Sequence, residues 1–514
     1  MRYAKLLAVF GLAFSLGACN ILDPDLDVEN TNNPDRQRAL AEAGDIESLI
    51  ASGFQNWFYG FSNLYPAWPL STAADEGTSS WGNYGMQHIS SEPRVPWSNS
   101  TGYSYRGVAE SPWYDLYEVI SSMNDGLIAI EGGLKIGTDG ADNQRAIAFA
   151  KFMQGLAHGY LALHFDRMFL FTEDMDLEST DFELTDYKSI MTEAIKMMDE
   201  AIAEMGKGTF TLPPHWIPSG ATITNTELAR IANSYVARMM VSVARTPEER
   251  AAVNWNEVVN RINKGITADF GIVLDNTNWG DNFKNYIQRF DWFRTDYKLV
   301  GQSDISGAYQ AWLAKPVDQR VDFDMNSLDR RVQGAGGVGA NGTDFTYRRT
   351  QNHRADRGTY HFSRYHWTRY FYIRQTNIGF DPLMTTEEMD FLKAEAYIRT
   401  AQAALAVPLI NKSRMARGGL PAATEAGVVG QTNCVPKKMY DVNGGCANLM
   451  ETLMYEKRIE EYAHAAGVSF WDARGWGILV PGTVLHLPIP ARELETLGFA
   501  IYTFGGVGNA GAAR

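Results

Sequence analysis

Cysteine is nearly absent from this chain of 514 residues; there are three, and none forms a CxxC pair. Without a second thiol pair, no cysteine zinc site is expected. Histidine is scarce too: His158 and His164 are six apart and His361 and His366 five apart. Those spacings do not stack on one helix face as i, i+4 ligands do, so they read as core or surface histidines and no metal is expected. Positive charge is in deficit, 46 Lys and Arg against 60 Asp and Glu, for a net charge of −14. This excludes nucleic acid as a partner, because affinity for phosphate backbones comes from Lys and Arg. Long apolar runs are missing as well. The stretch Leu6 to Leu16 is shorter than the roughly 20 residues a spanning helix needs. No Walker A, GxSxG or HExxH motif occurs, and neither catalytic residues nor a cofactor are expected. Gly334-x-Gly336-x-x-Gly339 has the letters of a dinucleotide fingerprint. It lacks the preceding strand and the following helix that would aim a pyrophosphate at a helix N-terminus, so it reads as a loop.

The N-terminus carries what the rest of the chain lacks. Arg2 and Lys5 precede the apolar run, and Leu16-Gly17-Ala18-Cys19 follows. Small residues directly before a cysteine resemble a lipobox. Residues 1–18 are then a signal peptide, cut before Cys19, whose thiol is acylated. The alternative is a plain signal peptide beside an incidental cysteine. A single acyl chain anchors marginally, whereas two or more hold. In an exported chain with Cys19 taken, Cys434 and Cys446 are left as a pair, where disulfides persist. A bridge closing a loop of that size adds about 2–3 kcal/mol. Residues 19–35, with Asp23, Asp25, Asp27, Glu29 and Asp35, have too little apolar surface to offset the entropy of ordering and read as a tether.

Helical periodicity dominates thereafter. Residues 36–61 place Leu40, Ala43, Ile46, Ile50, Phe54 and Trp57 on one side, and Tyr187, Ile190, Met191, Ala194, Met198 and Ala201 repeat the pattern. Residues 146–165 are apolar nearly all round, as expected of a helix buried between two others. Thr224 with Glu227, Thr246 with Glu249 and Thr385 with Glu388 mark helix starts as capping boxes. The predicted fold class is mostly α, a scaffold of tetratricopeptide-like helical pairs over 36–265 and 385–477. A strict 34-residue repeat is not visible. Residues 62–112 and 267–384 break the rhythm and are too long for simple connections, which makes them the loop-rich ligand region. They hold Trp81, Asn83 and Tyr84 in one loop and Trp279, Tyr286 and Trp292 in the other. Sugar rings offer C–H faces that pack on indole and phenol rings, while amides bond their hydroxyls, so these six residues are the candidate ligand site. The same rings could instead be buried plugs. Carboxylate pairs such as Asp75 with Glu76, or Asp291 with Asp296, leave a glycosidase open as an alternative. A helical-repeat adaptor without any pocket is another. The tail Gly505–Arg514 reads as frayed.

The stretch from Asn448 to Gly477 links these parts. A helix with Tyr455, Ile459, Tyr462, Ala463 and Ala466 on one face is expected to stop at Gly467, with Glu456, Lys457, Glu460 and Glu461 on the other face. Beyond it, Trp471, Asp472, Arg474 and Trp476 read as a structural clasp. This stretch resembles the C-terminal signature of the SusD/RagB family of outer-membrane nutrient-binding lipoproteins. Glu456, Lys457, Arg458 and Glu460 match the family's charged helix, and Asp472, Arg474, Trp476 and Gly477 its Asp-x-Arg-x-Trp-Gly-type close. Between them His464 to Val468 departs from the family's usual turn. Trp113 to Tyr117, Lys393 to Ala396, Asn411 to Leu420 and Leu487 to Pro490 also resemble SusD-like segments, so the likeness spans nearly the whole chain. It implies a single domain over 36–514 and a lipoprotein of the outer membrane facing the cell exterior. It further implies capture of an oligosaccharide or other nutrient for a SusC-like TonB-dependent transporter, with no enzymatic activity.

Overall fold

The computed structural model describes residues 42–62, 65–175, 182–350 and 361–514. Cys19, the signal peptide and the tether lie outside the described residues.

The scaffold is helical, as its periodicity predicts. Asn143–His164 is buried on nearly every side from Ala146 onward and lies between Gly107–Glu131 and Tyr187–Met205. Gly155 allows the close approach: a Cβ there would stand 3.0 Å from the Ala194 carbonyl oxygen. The helical run in 36–61 is interrupted at Ser52, giving Ala43–Ala51 and Gly53–Ser62. Thr386–Arg399 packs against Ala403–Ala416 as a helical pair across a short turn. Thr224, Thr246 and Thr385 each accept the predicted N-cap bond from the backbone N–H three residues on. Their glutamates go elsewhere; Glu388, for instance, takes Arg238. The full reciprocal box forms instead at Asn448 and Glu451.

The long middle insertion is closed at its base by a two-stranded antiparallel ribbon, Phe270–Asp275 against Ile378–Met384. A second, very short pairing matters more for function. Gly77–Thr78 lies antiparallel to Arg294–Thr295, which locks the early loop to the middle one. At Gly77 a Cβ would fall 1.8 Å from the Phe293 ring, so only glycine permits this contact. Residues Tyr365–Trp367 are buried and pair with Phe345–Tyr347.

The C-terminal stretch departs from expectation. Its helix spans Leu449–Glu460 and ends before Tyr462; Ala463 has a left-handed φ of 54°. Gly467 does not stop that helix but starts the next, Val468–Trp476. The break is held by Glu76, whose carboxylate accepts from the Ala463 N–H and the Ser469 hydroxyl, both at 2.8 Å. Glu456, Lys457, Glu460 and Glu461 are all buried. Arg331 reaches Asp329, Glu456 and Glu460 at 2.6–2.9 Å, Arg414 adds to Glu456, and Arg369 and Arg417 add to Glu460. The clasp expectation holds: Asp472 pairs with Lys457 at 2.7 Å and Arg250 at 2.9 Å, and Arg474 donates to the carbonyls of Leu485 and Ser242.

Cys434 and Cys446 form the expected disulfide, with Cα atoms 5.7 Å apart. The Gly505–Arg514 tail is not frayed. It exchanges backbone hydrogen bonds with Gly482, Thr483 and Leu485, and Gly505 bridges to Pro96.

Candidate functional site

Trp68, on the short helix Ala67–Ala73, is the floor of the site and only 1% exposed. Three half-buried rings stand edge-on to it: Tyr84 with centroids 4.6 Å away, Tyr286 at 5.0 Å and Trp292 at 5.9 Å. Tyr286 and Trp292 also touch each other at 5.5 Å, and Tyr65 closes on Tyr84 at 5.4 Å. Edge-on aromatic contacts of this length are favourable beyond simple area burial.

Trp81 joins the group through the loop connection. Its indole N–H donates to the Asp291 carbonyl at 2.9 Å, and the Ser79 hydroxyl donates to the Trp292 carbonyl at 2.8 Å. Tyr84 and Gly85 both take left-handed backbone conformations, with φ of 56° and 75°. That turn carries the half-buried Asn83 beside the rings. Burial, then the neighbouring phenols, push the Tyr84 hydroxyl above its ordinary pKa, and burial pushes Tyr65 up to about 12. Both hydroxyls therefore stay protonated and able to donate at neutral pH.

The structure thus brings together Trp81, Asn83, Tyr84, Tyr286 and Trp292 from two loops about two hundred residues apart. Trp279 does not join them. It is 7% exposed and packs its ring against Phe54, Phe58 and Tyr59 at 5.9–6.4 Å, on the scaffold side. Trp68 and Arg289 belong to the group and were not anticipated. Arg289 lies over the Tyr286 ring at 4.1 Å and the Trp292 ring at 5.4 Å. Trp68 sits in the region expected to hold ligand loops, but on a helix of its own.

From Arg289 and Asp291 the surface opens into a cleft of about 940 Å³. Besides Arg289 it is lined by Arg294, Arg348, Arg349 and Arg374, with Phe290 and Tyr347 among the apolar walls. The adjacent pair Arg348 and Arg349 was the one sequence signal for it.

The carboxylates weighed for hydrolysis are otherwise engaged. Asp75 is held by Arg94 at 3.0 Å and Lys298 at 3.4 Å; Glu76 is bonded to Ser71, Ala463 and Ser469. Asp296 is fully buried against His361 at 2.9 Å. Asp291 alone of the four is exposed. Asp75, Asp296 and His361 present ligand atoms within 4.8 Å of one another, a metal-like grouping. Arg94 and Lys298 already bring two cations to these acids, and Lys298 bonds Glu92 as well, so the grouping is a charge network of the chain itself.

No protein-family model matches the chain, and no curated protein does. Solved structures do. A SusD superfamily protein from Bacteroides vulgatus superposes with a TM-score of 0.52 at 14% identity, covering 89% of this chain and 97% of its own. One from Bacteroides thetaiotaomicron gives 0.53 at 12% identity over 86% and 91%. A SusD-like carbohydrate binding protein from Bacteroides fragilis gives 0.54 at 15% identity over 86% and 87%. At such low identity the likeness speaks for architecture, and it runs nearly end to end: this chain has the SusD-like fold.

Proposed function

We propose that this protein is a non-catalytic, cell-surface lipoprotein that captures an oligosaccharide and passes it to a SusC-like TonB-dependent transporter in the outer membrane. The observation that carries the reading is the convergence of Tyr84, Tyr286 and Trp292 from two separate segments onto the one buried indole of Trp68, with Trp81 bonded to the Asp291 carbonyl next to Trp292 and Asn83 in the same turn as Tyr84. A half-exposed aromatic surface beside amide and guanidinium donors suits a sugar, which has apolar ring faces and polar rims. The description of a structural neighbour as a carbohydrate binding protein supports the same reading. The engagement of Asp75, Glu76 and Asp296 in buried bonds favours binding over hydrolysis. A protein that must release its cargo binds at micromolar to millimolar strength, about −4 to −8 kcal/mol.

Calorimetry against a panel of oligosaccharides tests this. Trp81→Ala and Trp292→Ala are each expected to remove about 1–3 kcal/mol of binding, by analogy with stacking on nucleic-acid bases. Trp279→Ala, which empties a core position, is expected to cost about 3–5 kcal/mol of fold stability. Unaltered glycan affinity in both the Trp81 and Trp292 variants would overturn the platform.

A further inference from the structure

We propose that the captured oligosaccharide is anionic, and that its carboxylate or sulfate-ester groups are held in the arginine cleft beside the aromatic platform. This rests on the glycan-binding reading above and narrows it to one class of sugar.

In a chain with net charge −14, arginines are ordinarily consumed by acids. Arg238 is paired with Glu388, Arg250 with Glu395 and Asp472, and Arg331 with Asp329, Glu456 and Glu460. The cleft breaks that habit. Five arginines line it and Asp291 is the one acid among its described residues. Among the described residues, none of the five forms a salt bridge.

Arg294 makes the case sharper. It is 1% exposed, and its side-chain position is set by the strand pairing of Arg294 with Thr78. One terminal nitrogen donates to the Thr350 carbonyl at 2.8 Å. Among the described residues, its Nε and the other terminal nitrogen have no partner. A buried guanidinium with two unmet donors is costly unless something supplies the missing acceptors. Burial, and then the charge of Arg348, push its pKa down to about 10, which still leaves it charged at neutral pH. The planar fork of a guanidinium fits two oxygens of a carboxylate or sulfate side by side.

The neighbours are arranged for the same purpose. Arg348 lies over the Phe290 ring at 3.9 Å. Arg289 spans both parts, stacked on Tyr286 and Trp292 while lining the cleft. A sugar ring on the platform would therefore place its substituents next to the positive field. At about 940 Å³ the cleft is at the large end for small-molecule sites and has room for more than one sugar unit. A long polyanion such as nucleic acid would meet the repulsion of the rest of the molecule.

The test uses the full mature protein and three size-matched probes: oligogalacturonates, chondroitin sulfate oligosaccharides and neutral cello-oligosaccharides. At least one anionic series should bind about tenfold or more tightly than the neutral one, and weaken with added salt. Chondroitin sulfate carries glucuronate as well as sulfate, so a preference for the oligogalacturonates identifies a carboxylate, and a preference for chondroitin sulfate that desulfated chondroitin lacks identifies the sulfate ester. Arg349→Ala and Arg348→Ala, both at exposed positions, should cost that preference with unchanged melting temperature. They keep the test valid if Arg294→Gln fails to fold. Binding of the neutral series with no anionic preference, untouched by the Arg348 and Arg349 variants, overturns this proposal and leaves glycan capture standing. Loss of all glycan binding across a broad panel would overturn both.

Discussion

Glu395 is fully buried, yet it is ionised, and the reason is the company it keeps. Arg250 forms two bonds to its carboxylate at 2.8 and 2.6 Å, Arg399 adds one at 2.8 Å, and the Trp476 indole N–H donates to both oxygens. Burial pushes its pKa up, but Arg250 first, then Arg399 and Lys457, outweigh that and hold it at about 2, against an ordinary 4.5. A carboxyl whose pKa is depressed by folding contributes stability that is present above 4.5 and lost as pH falls toward 2. Replacing it by glutamine leaves Arg250 short of charge inside the core. Glu395→Gln is therefore expected to cost about 3–5 kcal/mol at neutral pH. Urea titrations across pH should show a parent curve that falls between pH 4.5 and 2 and a variant curve that starts lower and falls less. A variant as stable as the parent at pH 7 would remove the pair from the account.

Among the elements, those whose determinants are local were legible in advance. Thr224, Thr246 and Thr385 cap their helices through bonds spanning three residues, so a short window of sequence contains both partners. The loops were legible as loops because they lack a helical period. What a window cannot contain is a partner such as Arg331, which lies 125 residues from Glu456. The charged face of Leu449–Glu460 was therefore legible as a separate face, but not as the most deeply paired surface of that helix. For the same reason Trp279 and Trp292 looked alike; only their tertiary neighbours separate core from platform. The arginine cleft is assembled from residues near 290, 348 and 374, and its charge is dilute in any one segment. The disulfide was legible by counting, and its role belongs to one segment. Cys434 packs with Ala423, Val428 and Ala447 in a small cluster separate from the main core. With so little apolar area, that segment depends on the bridge, which is worth about 3 kcal/mol for a loop of this length. Reduction should raise amide hydrogen exchange across residues 423–447 while leaving the helix Asn225–Ser242 protected. Equal protection of the segment in both redox states would show that the bridge does not hold it.

Seen whole, the molecule backs its ligand loop with its own C-terminus. Arg94 donates to Thr483, Trp97 donates its backbone N–H to the Phe504 carbonyl, and Asn99 reaches the carbonyls of Ile489 and Tyr502. The early loop is thus fixed on one side by the tail and on the other by Gly77 and Thr78 paired with the middle loop. These contacts hold the early loop from both sides. Among the described residues no helix is long and apolar enough to cross a membrane. The proposed outer-membrane location therefore rests on Cys19, whose acylation would hold the protein by lipid alone. Two or more acyl chains hold a protein stably where one does not, so removal of the thiol should be decisive. Cys19→Ala is expected to shift the protein from the membrane fraction to the soluble fraction of fractionated cells. Because the described residues of the platform and cleft run from Tyr65 onward, the released protein should bind the same oligosaccharide with the affinity of the anchored one. Continued membrane retention of the variant would mean that something other than Cys19 holds the protein there.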